Sequence, residues 1–164
     1  MPTSDLNELT STVTVPLTID RAFELFFDLD RWWPIEYTSA RGVDQEIVIE
    51  PHAGGFCYER GSNGFRCDWG RVLVFEPPRR LVLAWQITAA REPQPDPDKS
   101  STLEVRLVPD GAQRTRVTIE HRDLDHHGAE AGEYRALMGS DSGWPFILGR
   151  YAVVAASDGL RATG

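Results

Sequence analysis

The sequence predicts an α+β domain in which a curved antiparallel sheet of about seven strands wraps around a long C-terminal helix. First, apolar and polar side chains alternate in successive segments of residues 45–121, as in an antiparallel sheet covered on one face. Second, the β-branched residues 9–16 precede an apolar helical face over residues 19–26. Third, apolar residues recur at helical spacing between residues 144 and 155.

Turn and cap residues divide the chain into these elements. Thr18 can cap the first helix, and Pro34 prevents that helix from continuing. Residues 61–64, Gly-Ser-Asn-Gly, tolerate positive φ angles and join two strand-like runs, 55–60 and 65–75, into a hairpin. The remaining strands are expected at 45–50, 81–87, 103–107 and 115–121, followed by a short helix over 130–138 before the long one.

The length and composition fit one folded domain. The chain has 164 residues, of which 41% are hydrophobic and 26% charged. Its formal net charge of -8 provides no cationic field for a phosphate backbone, so nucleic acid is not an expected partner. Residues 1–8 lack the pattern of a signal peptide, and no segment reaches the length of a membrane span. We therefore expect a cytoplasmic protein without a membrane partner.

The hairpin register predicts which side chains face inward. Pairing Cys57 with Asp68 and Glu59 with Arg66 places an ion pair on the outer face. The residues that then share the inner face are Phe56, Tyr58, Cys67 and Trp69. Because this register separates the two cysteines onto opposite faces, we expect free thiols.

Arg71 can be placed in two ways. Strict alternation from Trp69 sends its side chain inward, where it would need a carboxylate or an anionic ligand. A β-bulge at Gly70 instead turns Arg71 outward and Val72 and Val74 inward, and we favour this arrangement because glycine within a strand often marks a bulge.

A group of metal-binding residue types follows the last strand. His126 and His127 are adjacent and should point in different directions, and no cysteine or histidine elsewhere completes a tetrahedral set with Asp123 and Asp125. We expect a polar loop there, with neither a metal nor another cofactor. His121 follows the apolar side of its strand inward, either as a polar anchor or proton donor or as a buried structural histidine.

Four stretches of sequence resemble a known family. They are AFELFFDLDRWWP, HAGGFCYERGSNGFRCDWGRVLVFEPPRRLVLAWQI, TRVTIEHRDLDHHG and SGWPFILGRYAVV. Together they resemble the bacterial activator-of-Hsp90-ATPase-homologue-1-like branch of the SRPBCC superfamily, which has the START/Bet v 1-like helix-grip fold. The resemblance implies a single domain over residues 9–156, with 1–8 and 157–164 as flexible termini. A bacterial source also agrees with the preference for arginine, since Lys99 is the single lysine.

The resemblance implies a cavity between the concave sheet and the last helix, where relatives hold lipids, hormones or aromatic polyketides. The residues expected to line it are Trp33, Phe56, Tyr58, Trp69, Trp85, His121, Trp144, Leu148 and Tyr151. From the residues alone, a solid aromatic core is the alternative.

Three functions fit these observations. The first is binding of a small hydrophobic, aromatic-containing molecule. The second is a cyclase or hydratase that uses His121, Tyr58 or Glu36 as acid–base groups, and the third is a module that docks on a chaperone. The sequence has neither a Gly-x-Ser-x-Gly elbow nor a phosphate-binding loop, so no catalytic motif supports an enzyme. Besides a small molecule, a second copy of the chain and a chaperone are candidate partners.

Overall fold

The computed structural model describes residues 8–34, 46–61, 64, 66–88 and 94–163. Within these residues, seven strands form one antiparallel sheet in the order β1-β7-β6-β5-β4-β3-β2. The strands are β1 Leu9–Val15, β2 Glu46–Ile49, β3 Phe56–Arg60, β4 Arg66–Glu76, β5 Arg80–Trp85, β6 Ser101–Pro109 and β7 Thr115–Arg122. The helices are α1 Ile19–Phe27, α2 Ala131–Met138 and α3 Trp144–Thr163, with short 3-10 helices at Leu29–Arg31, Pro97–Lys99 and Leu124–Glu130. The predicted helix-grip fold is therefore confirmed.

The first helix begins at the predicted cap. The backbone N–H of Arg21 donates to Oγ1 of Thr18 at 3.5 Å, which satisfies one of the free donors at the N-terminus of α1. The buried side chains of α1 are Ala22, Phe23, Leu25 and Phe26. In the short 3-10 helix after α1, the Arg31 guanidinium forms an ion pair with the Asp158 carboxylate at 2.8 Å. This ion pair connects the segment after α1 to α3.

The hairpin between β3 and β4 has a different register from the predicted one. Tyr58 lies opposite Asp68 and Glu59 opposite Cys67, so every side chain of β3 faces the other side of the sheet from that expected. Arg66 pairs with Asp68 at 2.7 Å, and the predicted Glu59–Arg66 ion pair is wrong.

A bulge causes this shift and confirms one prediction. Cys57 pairs with Gly70 while Tyr58 pairs with Asp68, which leaves Trp69 as the extra residue. A Cβ atom built on Gly70 would lie 2.6 Å from the carbonyl oxygen of Ala84, so this position requires glycine. Beyond the bulge, Arg71 is exposed and the side chain of Val72 is buried in the core, as expected for the bulged arrangement. The predicted inward position of Val74 is wrong, because a second irregularity in β4 pairs Val74 with Val82, which shares the outer face with Glu104.

Both cysteines are free thiols, as predicted, although the reason given was wrong. Cys57 faces inward and is fully buried, whereas the prediction placed it outside. Glu59 is two residues from Cys57 on β3, so both side chains face inward. Cys67 lies opposite Glu59 on β4, so the two thiols are on the same face of the sheet.

The long helix α3 covers the inner face of the sheet. Its buried side chains are Trp144, Ile147, Leu148, Tyr151 and Ala155. The helix continues to Thr163. No helix among the described residues is long and apolar enough to cross a membrane.

Candidate functional site

Aromatic rings from several elements converge between the inner face of the sheet and α3. Trp85, at the end of β5, is at the centre: its ring centroid lies 5.4 Å from that of Trp144, 5.6 Å from Trp69 and 6.5 Å from Trp33. The ring of His121 on β7 lies 5.7 Å from Trp85. These spacings and tilted orientations are those that aromatic pairs prefer. We call these side chains the aromatic cluster.

The aromatic cluster has a buried side and a half-exposed side. Trp144 is 1% exposed and His121 is fully buried, whereas Trp33 and Trp69 are only partly buried. The two outer indoles therefore present ring surface that an apolar molecule could cover.

The indole N–H of Trp85 is satisfied by a residue that sequence reasoning did not single out. The indole N–H of Trp85 donates to the hydroxyl of Tyr134 at 2.6 Å, and this hydroxyl donates to the carbonyl of Ile87 at 2.7 Å. Tyr134 is on α2, whose helical pattern in the sequence is weak, so no signal marked it as a neighbour of the cluster.

A chain of hydrogen bonds leads away from the aromatic cluster through His121. The indole N–H of Trp144 can only donate, so Nδ1 of His121 accepts at 3.0 Å. The other ring nitrogen, Nε2, then carries the proton and donates to Oγ of Ser101 at 2.7 Å. The Ser101 hydroxyl in turn donates to Nε2 of His127 at 2.8 Å. This fixes His127 in the tautomer that carries its proton on Nδ1.

Burial keeps the histidines of this chain neutral. Burial, with a smaller contribution from the nearby His127, lowers the pKa of His121 to about 3. The pKa of His127 is also lowered, first by burial and then by His126. At neutral pH this series of hydrogen bonds therefore carries no positive charge, and its members donate and accept hydrogen bonds as neutral groups.

The chain ends at a polar groove on the surface. This groove has a volume of about 410 Å³ and is lined by Thr88, Gln94, Lys99, His126, His127, Gly128 and Glu130. His127 belongs both to the groove and to the chain, so the fully buried His121 is linked to a surface site through Ser101.

The loop after β7 brings together more metal-binding groups than expected. Ligand atoms of Asp123, Asp125 and His126 lie within 4.8 Å of one another. Nδ1 of His126 hydrogen-bonds to the Ser100 carbonyl at 2.9 Å, and Nε2 of His127 hydrogen-bonds to Oγ of Ser101 at 2.8 Å. Both histidines line the polar groove.

Two residues expected to line a cavity lie on the outer face of the sheet. Phe56 is 39% exposed, and the guanidinium of Arg71 lies 4.2 Å from its ring centroid. Tyr58 is covered from outside by Arg66, whose guanidinium carbon is 3.9 Å from the ring centroid. Both positions follow from the one-residue error in the hairpin register.

Tyr151 and Leu148 are fully buried in a different part of the core. The ring of Tyr151 packs 5.3 Å from Trp32 and 5.5 Å from Phe26, and its hydroxyl donates to the Ala22 carbonyl at 2.8 Å. Tyr151 therefore joins α3 to α1. Glu36, the third acid–base candidate, lies outside the described residues.

Fold and site together define a helix-grip domain with an aromatic cluster under its last helix. The model of the family described as activator of Hsp90 ATPase homolog 1-like protein matches residues 17–152. The chain belongs to this family.

Several solved structures are similar to this chain over nearly its full length. The anthrahydroquino-gamma-pyrone synthase Txn09 is 33% identical, with 94% of this chain and 99% of that chain covered and a TM-score of 0.61. The self-sacrificing resistance protein CalC from Micromonospora echinospora is 27% identical, with 93% and 96% covered and a TM-score of 0.63. The protein NE0264 from Nitrosomonas europaea, 14% identical with 96% and 99% covered and a TM-score of 0.64, shows the shared fold.

A curated relative matches a shorter stretch. The DNA ADP-ribosyl glycohydrolase of Mycobacterium tuberculosis is 37% identical over 65 residues, which are 40% of this chain. The match spans only 18% of the length of that relative.

Proposed function

We propose that the protein binds a small, largely apolar aromatic molecule at the half-exposed side of the aromatic cluster. The observation that carries the proposal is the position of Trp33 and Trp69, which stand partly buried against the buried Trp85. A flat aromatic ligand placed there would extend an existing stack of tilted rings, and each such contact is worth about 0.5–1.5 kcal/mol beyond burial.

The surroundings of the cluster suit such a ligand. Binding sites for small molecules are mostly apolar with a few fixed polar groups. The buried His121 is neutral and fully hydrogen-bonded, so an apolar ligand need not supply a counter-ion to it. The relatives support the same ligand class, since one is a synthase of an anthrahydroquino-gamma-pyrone.

Calorimetric titration with anthraquinone tests this proposal. We expect Trp69→Leu to weaken binding about tenfold or more, because loss of one stacking partner and its buried area removes about 1.4 kcal/mol. Phe56→Leu is the matched control: it changes an aromatic residue on the outer face of the same hairpin and should leave the affinity unchanged. Equal weakening by both variants, or no binding of anthraquinone by the unmodified protein, would contradict the proposal.

A second candidate is a cyclase-type reaction at the same place. The chain from His121 through Ser101 to His127 favours it, because it connects the cluster to solvent by groups that can relay a proton. An ortho-hydroxyaryl β-diketone is a suitable probe: its phenol oxygen attacks the distal ketone, and loss of water gives a γ-pyrone.

Chromatography with mass detection follows the loss of water from this probe. Ser101→Ala should slow turnover while binding of anthraquinone persists, since the substitution interrupts the chain without touching the tryptophans. A rate in the presence of the unmodified protein equal to that in buffer would eliminate this candidate.

A further inference from the structure

Glu59 is a buried carboxylate on the inner face of the sheet. In the sheet, Glu59 of β3 lies opposite Cys67 of β4 on one side and opposite Ile47 of β2 on the other. The residue is 7% exposed. Cys57, two residues earlier on the same face of β3, is fully buried in the core. The bulge at Trp69 places Glu59 there, since the register without a bulge would have sent it outward.

An acidic side chain is unusual on this face. Among the described strand residues, the inward-facing side chains are otherwise apolar or neutral at pH 7, including His121 with its lowered pKa. The other carboxylates of these strands lie on the outer face, where Glu104 and Glu120 pair with arginines and Glu46 pairs with Arg60.

Glu59 is also close to the proposed ligand position. Trp69 follows the cross-strand partner Cys67 by two residues and lies at the bulge on the same side of β4 as Cys67. A flat molecule in contact with the Trp69 ring would therefore have an edge within reach of the Glu59 carboxylate. A carboxylate has about four acceptor sites, so contacts within the protein leave room for a ligand hydroxyl.

We propose that the ligand is a hydroxylated aromatic molecule, and that Glu59 selects it by accepting a hydrogen bond from an aromatic hydroxyl. This inference rests on the proposed function and adds the chemical class of the ligand. Hydrogen bonds from a hydroxyl to an ionised acceptor are among the strong ones, so the preference should reach about tenfold or more.

Calorimetry with matched ligands tests the inference. Anthraflavic acid has two hydroxyls remote from its quinone carbonyls, and its dimethyl ether and unsubstituted anthraquinone have none that can donate. We expect the unmodified protein to bind anthraflavic acid about tenfold or more tightly than either comparison ligand. In Glu59→Gln this preference should fall to about threefold or less, because the amide cannot form a charge-assisted bond. Glu120→Gln, a carboxylate change on the outer face, should retain it.

The outcomes separate the inference from the proposed function. If anthraquinone binds and Trp69→Leu weakens it, but the unmodified protein shows no preference for the hydroxylated ligand, the inference is wrong and the proposed function stands. An unchanged preference in Glu59→Gln also overturns it. If none of the three ligands binds, both are wrong. The comparison of ligands on the unmodified protein needs no variant, so it is decisive even where Glu59→Gln does not fold.

Discussion

His121 and Glu104 are two buried titratable side chains that lie on opposite faces of neighbouring strands. His121 on β7 faces inward and is fully buried, and Glu104 on β6 faces outward and is 4% exposed. Both have lowered pKa values, yet the shift leaves His121 neutral and Glu104 charged.

The neighbours explain this difference. Burial by itself raises the pKa of Glu104, but hydrogen bonds from Arg80 at 2.8 Å and Arg122 at 2.7 Å outweigh it and lower the pKa overall. His121 has no such counter-ion among its hydrogen-bond partners, which are the neutral Trp144 and Ser101. The outer face therefore stabilises charge within an arginine network, whereas this end of the inner face excludes charge.

The largest expected effect comes from removing the centre of the inner face. Trp85→Ala deletes a ring that is 5% exposed and in contact with three other indoles, so we expect the free energy of unfolding to fall by about 3–5 kcal/mol. Urea unfolding measures it. Phe56→Ala on the outer face should cost about 1 kcal/mol or less, because that ring is 39% exposed. Similar losses in the two variants would mean that the faces do not differ in packing.

The second expected effect is a dependence of stability on pH. His121 takes up a proton near pH 6.5 in the unfolded chain, but only near about 3 in the folded protein. Its contribution is complete above pH 6.5 and is lost as the pH falls towards 3, with a slope of up to about 1.4 kcal/mol per pH unit.

Urea unfolding at several pH values between 7 and 5 checks this slope. His121→Gln should flatten it, with a residual slope from His127, whose pKa is lowered in the same direction. A slope that is identical in the two proteins would show that His121 takes up its proton at the same pH in the folded and the unfolded protein.

A smaller effect is expected at Glu104. Glu104→Gln removes the charge that faces Arg80 and Arg122, and we expect a loss of about 1–2 kcal/mol at neutral pH. This is less than for a fully buried pair, because the arginine side chains are 38% and 29% exposed and can be hydrated.

The pH dependence of this loss has the sign set by the lowered pKa of Glu104. The contribution is present above the unfolded pKa of about 4.3 and disappears as the pH falls below it. The difference between Glu104→Gln and the unmodified protein should therefore shrink only below about pH 4.3, whereas the loss that His121 causes begins near pH 6.5. A difference that persists at low pH would assign the loss to packing.

The smallest expected effect concerns the thiols of the inner face. Burial raises the pKa of the Cys57 thiol, and this side chain is fully buried, so it should alkylate slowly in the native protein. Cys67 is only partly buried and should react faster. Mass spectrometry after iodoacetamide treatment distinguishes the two, and both should react once the chain is unfolded without reductant. Faster labelling of Cys57 would contradict its inward position.

The elements of the fold could be predicted because their signals are local. Alternation over residues 101–122 and helical spacing over residues 144–155 each depend on side chains close in sequence. The outward position of Arg71 was also predictable, since Gly70 marks the bulge. The exact pairing across that bulge was not predictable, because several registers satisfy the same sequence pattern. One extra residue in β4 is enough to reverse the face of every β3 side chain.

The sequence by itself determined the strands, the helices and their order, and it predicted that Trp69, Trp85, Trp144 and His121 meet inside. The tertiary structure alone decided that Phe56 and Tyr58 face outward and Glu59 inward, since this depends on which β4 residue the bulge leaves unpaired. It also decided the charge of His121: the residue type permits either form near neutral pH, and only its burial between Trp144 and Ser101 fixes the neutral one.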